Sequence, residues 1–160
     1  MATETKSNLN ETTVKSVQDL IQMNIDSRDG FRYAAEKLQD SHAQLAANFR
    51  KFSDCRDVNA TELQGLVLMN GEEPENRGSS AASLHRTWMS IRDMFASEAD
   101  PVAVWAEAER GEDYIKAAYE DALKDNPGSA VSDTLNRQYR QVKELHDTVR
   151  DLRDTAKQNS

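Results

Sequence analysis

The sequence is short of several kinds of residue, and each shortage excludes a class of protein. Its single cysteine, Cys55, cannot form an intrachain disulfide or a multi-cysteine metal site. Six glycines and three prolines among 160 residues disfavour low-complexity disorder. The glycines form no phosphate-binding loop, and no serine-centred nucleophile motif is present. Nothing in the sequence therefore indicates nucleotide use or hydrolysis.

Long apolar runs and an excess of basic residues are also missing. No stretch approaches the ~18 apolar residues of a membrane-spanning helix, and the N-terminal stretch MATETKSNLNETTV lacks the apolar centre of a signal peptide. Twenty lysines and arginines against 28 aspartates and glutamates give a formal net charge of -8, which repels nucleic-acid phosphates and anionic membranes. We therefore expect an acidic, cytoplasmic protein that binds neither nucleic acid nor a membrane.

The apolar residues recur at steps of three and four positions, which is the spacing of one face of an α-helix. Together with 38% apolar and 30% charged residues, this periodicity predicts an all-α protein. We expect a flexible N-terminus over 1–9 and a single domain over 10–155, a size that can bury a continuous core. Helices are predicted at about 10–38, 42–69, 80–96, 101–124 and 129–155.

Capping residues mark the predicted helix boundaries. The start signals are Asn8 with Glu11, Ser41 with Gln44, and Asp100 before Pro101, and the stop signals are Asn70-Gly71 and the stretch DNPGS. The first two long helices, like the last two, are joined by a short turn, so each pair is expected to be antiparallel. The connection between the pairs contains the helix at 80–96 and is long enough to cross the whole molecule. This pattern favours a four-helix bundle with a helical crossover, the arrangement of ferritin-like bundles.

Four segments carry a resemblance to a known family: DSRDGFRYAAEKL, LHRTWMSIRDMF, ERGEDYIKAAYEDAL and HDTVRDLRD. With these segments in this order, the chain past residue 10 resembles domain-of-unknown-function family 2383, bacterial proteins classed as ferritin-like four-helix bundles. The resemblance implies the fold, but it carries over no catalytic residue, because no activity is established for the family. Through the wider ferritin-like superfamily it also implies a di-iron site.

A ferritin-like di-iron site takes one Glu from each of two helices and a Glu-x-x-His pair from each of the other two. This sequence contains no Glu-x-x-His. Its nearest approach is Glu144 with His146, but side chains two positions apart point about 200° apart around a helix and do not share a metal ion. The complete di-iron set is therefore absent.

Each long helix nevertheless carries polar residues near the middle of its apolar stripe. The expected helix pairing places Asn24 level with Arg56, and Glu109 within one turn of His146. We therefore predict one polar layer across the middle of the bundle. The predicted layer comprises Asn24, Arg28, Arg56, Asn59, Glu109, Glu112 and His146.

The predicted layer has two main interpretations. In the structural one, the arginines Arg28 and Arg56 neutralise the two glutamates, and the network fixes helix register more than it stabilises the fold. In the functional one, Glu109, Glu112 and His146 bind one metal ion, iron or manganese, with water in the remaining positions. A third possibility is that these positions are solvated. The structural interpretation is favoured because arginines compete for carboxylates and repel a cation.

Two further residues have plain structural explanations. His85, at the edge of the short amphipathic helix, is expected to hydrogen-bond across a helix junction. Cys55 lies in the middle of a helix without a histidine close in sequence, so it is expected to be an inert, small side chain.

The sequence as a whole predicts a non-catalytic bundle. Such a bundle acts as a homo-oligomer or by binding another protein, for example in a stress response, and needs no cofactor. The alternative is a ferritin-like protein that binds iron or manganese at a carboxylate–histidine site. An enzymatic activity is not indicated.

Overall fold

The structure is a computed structural model, and it describes residues 9–78, 83–97, 100–125 and 127–158. Every regular element in these ranges is an α-helix, which confirms the predicted all-α class. The helices are α1 (Glu11–Leu38), α2 (Ala43–Met69), α3 (Ser83–Ala96), α4 (Pro101–Lys124) and α5 (Ser129–Gln158). Within the described part of the chain, no helix is both long and apolar enough to cross a membrane.

The helix bounds lie close to those expected from the periodicity. α1 begins one residue later than expected, α2 ends at the expected residue, and α5 extends three residues further. The expected flexible segment at 1–9 lies outside the described residues except for Leu9, whose backbone N–H donates to Asn70 Oδ1 at 3.1 Å. The expected start of the crossover helix at 80 also lies outside them.

The first two helices start differently from the expectation. α1 is capped by Asn10, whose side chain accepts a hydrogen bond from the N–H of the third helical residue at 2.8 Å, whereas Asn8 lies outside the described residues. The prediction that Ser41 caps α2 is wrong, because His42 occupies the cap position and makes no side-chain capping bond. The His42 N–H still donates to the Leu38 carbonyl at 2.7 Å, so the turn is too tight for Ser41 to stand at the helix entrance.

The remaining predicted boundary signals are confirmed. Asp100 caps α4 and accepts a hydrogen bond from the Val102 N–H at 2.9 Å. α2 stops at Asn70, and Gly71 follows with φ of 81°. Gly128, with φ of 92°, separates α4 from α5. Both glycines adopt the left-handed backbone conformation that other residues adopt only with strain.

α1 packs along α2, and α4 packs along α5. Side-chain hydrogen bonds join residues whose numbers run in opposite directions: Arg28 with Asp57, Gln39 with Arg50, Tyr119 with Gln138, and Glu109 with Arg153. Each pair of helices is therefore antiparallel.

In contrast, α2 and α4 run in the same direction. Phe49 packs against Trp105 with ring centroids 4.6 Å apart, and Arg56 donates to Glu112. Because the residue numbers increase together, the segment 70–100 brings the chain back along the length of the helices before α4 begins. α3 lies in this segment and packs against both α1 and α4.

The apolar helix faces meet in one continuous core. Phe31 lies at the centre of an aromatic group, with its ring centroid 5.5, 5.4 and 4.7 Å from those of Phe49, Phe52 and Trp88. A Cβ atom on Gly30 would lie 2.1 Å from Cδ2 of Trp88. The absence of a side chain at Gly30 therefore allows α3 to pack directly on α1.

Candidate functional site

The centre of the core contains an ion pair between α2 and α4. Arg56 Nη2 donates to Glu112 Oε2, and the two side chains are 1% and 0% exposed. Both residues lie on the inner faces of their helices, between large apolar side chains. Two buried charges lose several kcal/mol of hydration each, and their mutual attraction compensates for this loss only in part. The pair is therefore costly to bury and costly to break.

Burial also changes the proton affinity of Glu112. Loss of hydration raises the pKa of the Glu112 carboxyl above its usual range, against the lowering effect of the Arg56 guanidinium and, to a smaller extent, of His146. The negative charge of Asp113 adds to the rise. His146 thus affects Glu112 electrostatically, although its own hydrogen bonds go elsewhere.

A second set of polar side chains crosses the core beside this pair. Asn24 Nδ2 donates to Tyr119 Oη at 2.9 Å, and the Tyr119 hydroxyl donates to Gln138 Oε1 at 2.6 Å. Gln138 Nε2 in turn donates to Glu62 Oε1 at 2.7 Å. This chain of hydrogen bonds connects α1, α4, α5 and α2. Burial of the Tyr119 hydroxyl raises its pKa to about 12.

The outer end of this chain reaches the surface. Glu62 accepts hydrogen bonds from Arg137 and from Gln138. Partial burial acts to raise the pKa of Glu62, but these two hydrogen bonds outweigh it, so that the pKa is lowered overall. The chain therefore begins at a buried amide and ends at an ionised carboxylate.

Several buried atoms of the layer have no hydrogen-bond partner in the described part of the chain. They are Asn24 Oδ1, Arg56 Nε, Asn59 Nδ2 and Glu112 Oε1. Each such atom destabilises a folded protein by about 1–3 kcal/mol. Added stability therefore does not explain why the layer is polar. The best-attested role of such buried polar groups is to specify one helix register.

The other predicted residues of the layer lie at its edge. Arg28 donates to Asp57 Oδ1 at 3.0 Å and is 25% exposed. Glu109 accepts a hydrogen bond from Arg153. His146 Nε2 lies 2.6 Å from Asp113 Oδ1. The structure thus brings together Arg56 and Glu112, buries Asn24 and Asn59 nearby, and places the remaining three with other partners.

Sequence reasoning missed three members of the layer, Tyr119, Gln138 and Glu62. A signal for two of them was present. Tyr119 follows Glu112 by seven positions and so lies on the same helix face. Gln138 occupies the gap between Leu135 and Val142 in the apolar stripe of α5. Glu62 gave no signal, because it lies at the exposed end of the hydrogen-bond chain.

The residues present do not fit the di-iron site that a ferritin-like resemblance implies. The three candidate ligands are each held by a different partner: Glu112 by Arg56, Glu109 by Arg153, and His146 by Asp113. Among the described residues, no three His, Cys, Asp or Glu side chains converge on one point. A guanidinium that donates to a carboxylate compensates its negative charge and repels a metal cation, so the carboxylate attracts a metal ion less.

His85 and Cys55 lie outside the layer. His85 Nδ1 lies 3.3 Å from Asp26 Oδ1 of α1, which confirms the predicted contact across a helix junction. It borders a surface cavity of about 350 Å³ between α1 and α3. Cys55 is a free thiol of intermediate burial.

Comparison with known families identifies the family of this chain. The model of the family described as Domain of unknown function (DUF2383) matches residues 12–125, or 114 of the 160 residues. The chain belongs to this family. The match contains Asn24, Arg56, Glu112 and Tyr119, whereas Gln138 lies beyond it. No curated protein matches the chain.

Proposed function

We propose that this DUF2383 protein is a ferritin-like four-helix bundle that has no catalytic role and acts by associating with itself. The observation that carries the proposal is the Arg56–Glu112 ion pair at the centre of the core. In ferritin-like metal proteins, inward-facing carboxylates of neighbouring helices hold the metal ions at this depth. In this chain the guanidinium of Arg56 donates a hydrogen bond to the central carboxylate, Glu112.

The helix directions support the ferritin-like arrangement. Two antiparallel pairs, α1 with α2 and α4 with α5, are joined by a connection that runs the length of the molecule and includes α3. A four-helix bundle with one long crossover has this topology. The arrangement accounts for the parallel course of α2 and α4.

The chemistry of the central pair supports a non-catalytic role. A guanidinium stays protonated at any pH that a folded protein tolerates, so Arg56 cannot act as an acid or a base. Glu112 is 0% exposed, and Arg56 binds one of its oxygens. A substrate would have to displace buried side chains to reach either group. Function through the outer surface requires no such opening.

The surface also supports self-association. Among the residues that the structure describes, five large apolar side chains are exposed: Val58, Leu68, Met69, Met89 and Tyr114. Isolated exposed apolar residues are ordinary, but adjacent ones that form a contiguous patch are typical of an interaction surface. Leu68 and Met69 lie next to each other at the end of α2.

Two measurements on the purified native chain test the proposal: its metal content by elemental analysis and its mass in solution by light scattering. We expect no stoichiometric iron, manganese or zinc, and a mass of a dimer or a larger assembly. A near-integral metal content that is lost in Glu112→Gln but retained in the surface control Glu144→Gln would instead establish a metal-binding protein. A monomer at high protein concentration would contradict self-association.

A further inference from the structure

A groove separates residues 42–55 of α2 from residues 141–156 of α5. Two cavities, of about 360 and 350 Å³, occupy this groove, and Asn48 borders both of them. In the described chain, the side-chain hydrogen bonds between the two helices lie beyond one end of the groove, where Arg137 and Gln138 donate to Glu62. The two cavities therefore form one elongated space that the helices leave open.

The cavity nearer the start of α2 has mainly apolar walls, which Leu45, Trp105, Leu152 and Ala156 contribute. None of the described residues around it carries a carboxylate, and His42 is the only ionisable one among them. Pockets for small molecules have volumes of about 300–1,000 Å³ and combine apolar walls with a few placed polar groups. With about 360 Å³, this cavity suits the apolar part of a small ligand.

The N-terminus of α2 lies at the edge of the same cavity. Ala43, Gln44 and Leu45, the first three residues of the helix, all line it. The backbone N–H groups of a first turn have no acceptor within their own helix. No side chain caps them here, because His42 makes no capping bond, and the first turn contains no acidic residue. These N–H groups and the positive end of the helix dipole favour a bound carboxylate.

A second, independent hydrogen-bond donor faces the cavity. Trp105 lines it and is only 1% exposed, so the core holds its ring in place. The Trp105 indole N–H donates to no residue of the described chain, but it is not enclosed as the unpartnered N–H of Trp88 is. The small accessible part of Trp105 therefore includes this donor. A buried indole N–H usually has a hydrogen-bond partner, and a ligand with an acceptor oxygen would supply one.

The second cavity continues the groove away from the start of α2. Phe52 and Leu145, both nearly buried, line it together with the half-buried Cys55. Lys51 and Glu144 border it with opposite charges, so this part of the groove attracts an anion less than the start of α2 does. From its first residue to Cys55, α2 rises about 18 Å, which is the length available to an extended apolar tail.

We propose that the groove binds a free fatty acid, that is, a carboxylate with a linear apolar tail. The carboxylate lies at the first turn of α2, in the cavity that Trp105 lines, and the tail runs along the groove toward Cys55. The carboxylate satisfies the free N–H groups, and the tail covers apolar surface that the chain itself leaves open. The proposal goes beyond the proposed self-association and does not depend on it.

Calorimetric titration of the native chain with dodecanoate, below its micellar concentration, tests the proposal. We expect saturable binding of one dodecanoate per chain. Dodecylamine has the same tail with a positive head, and acetate has the head without the tail, so both should bind at least about 10-fold more weakly. Equal binding of dodecylamine would overturn the role of the helix N-terminus. Absence of dodecanoate binding would overturn the whole proposal.

Vesicles of phosphatidylglycerol, an anionic lipid, test whether the tail comes from a membrane instead. We expect no sedimentation of the chain with these vesicles, because its net charge of -8 repels an anionic surface. Sedimentation with the vesicles in the absence of dodecanoate binding would contradict a free fatty acid as the ligand.

A single charge at the first turn tests the position of the head. Gln44→Glu places a carboxylate at the edge of the cavity, where it repels the ligand head, and we expect about 10-fold weaker dodecanoate binding. The variant stays folded, because an acidic residue in the first turn stabilises a helix. The matched control Ala47→Glu adds the same charge at an exposed position of α2 outside the cavity, where water screens it, and leaves binding unchanged. Equal affinities of Gln44→Glu and the native chain would overturn this position.

Two side chains report the path of the tail. On addition of dodecanoate, the indole N–H signal of Trp105 in nuclear magnetic resonance spectra should shift, whereas that of Trp88, which packs against Gly30 of α1, should stay in place. The spectrum of Trp88→Phe assigns the two signals. Dodecanoate should also slow the alkylation of Cys55 by N-ethylmaleimide, and acetate should not. A shift of the Trp88 signal alone, or unchanged alkylation of Cys55, would overturn the assignment of the ligand to this groove.

Discussion

Glu109 and Glu112 lie one helical turn apart on α4, and an arginine donates a hydrogen bond to each. Glu109 pairs with Arg153 at the edge of the helix, where both side chains are partly exposed. Glu112 pairs with Arg56 in the centre of the core. At the edge, water and salt screen the charges, and loss of one partner leaves the other solvated. In the core, loss of one partner leaves the other charged, buried and unpaired.

The comparison teaches that the depth of a carboxylate decides its role more than the type of its partner does. Both pairs consist of the same two residue types. Of the two pairs, only the central one is closed off from water. The edge pair is an ordinary contact between neighbouring helices, and the difference between them can be measured.

The largest effect is expected for Arg56→Ala. The substitution leaves Glu112 buried without a counter-charge, so the free energy of unfolding falls by about 3–5 kcal/mol. Urea unfolding at neutral pH measures this change. A loss below about 1 kcal/mol would mean that water reaches Glu112. The Arg56–Glu112 pair would then be as well solvated as the Arg153–Glu109 pair.

Alkaline pH tests the buried hydroxyl next to the central pair. The pKa of Tyr119 is raised to about 12 in the folded chain. From about pH 10 upward the unfolded chain releases this proton while the folded chain retains it, so stability falls by about 1.4 kcal/mol per pH unit, or about 2–3 kcal/mol by pH 12. Tyr119→Phe lacks this loss. If the difference in stability between native and Tyr119→Phe proteins stays constant over this range, the hydroxyl is not buried.

At neutral pH, Tyr119→Phe destabilises the folded chain, by less than alkaline pH destabilises the native chain. The variant removes the hydroxyl that joins Asn24 to Gln138 and leaves both amides short of a partner. We expect a loss of about 1–2 kcal/mol in the free energy of unfolding. An unchanged urea midpoint would show that the two amides find other partners.

The smallest effect is expected for Glu109→Ala. Arg153 keeps a second partner, Asp154 at 2.9 Å, and remains in contact with water. The urea midpoint should change little, and high salt should remove what change there is. A loss as large as that of Arg56→Ala would contradict the distinction between edge and centre.

The helices and part of the candidate site could be predicted from the sequence. Apolar periodicity is sufficient to place long helices, and Arg56 and Glu112 interrupt it where an apolar residue is expected. Residues three positions apart on a helix differ by about 60° in direction, so Glu112 can be fully buried while Glu109 lies toward the edge of the same face. Their order of depth depends on how α4 is rotated against its neighbours.

That rotation comes from tertiary packing. Trp105 inserts against Phe49, and this contact turns Glu112 inward and Glu109 toward α5. Arg28 donates to Asp57 on α2 and not to Glu109 or Glu112 on α4. Neither relation is local in sequence. The pattern of one helix therefore shows that a polar residue is near the core without showing which neighbour it meets.

The most direct test of the central claim is urea unfolding of the double variant Arg56→Met, Glu112→Leu beside the native chain and Arg56→Ala. Apolar residues of similar volume remove both charges and leave no buried ion. If the pair only specifies the helix register and adds no net stability, the double variant is at least as stable as the native chain and keeps its mass in solution, while Arg56→Ala alone is destabilised. A double variant as unstable as Arg56→Ala would contradict the account, because the central charges would then have a task that apolar packing cannot replace.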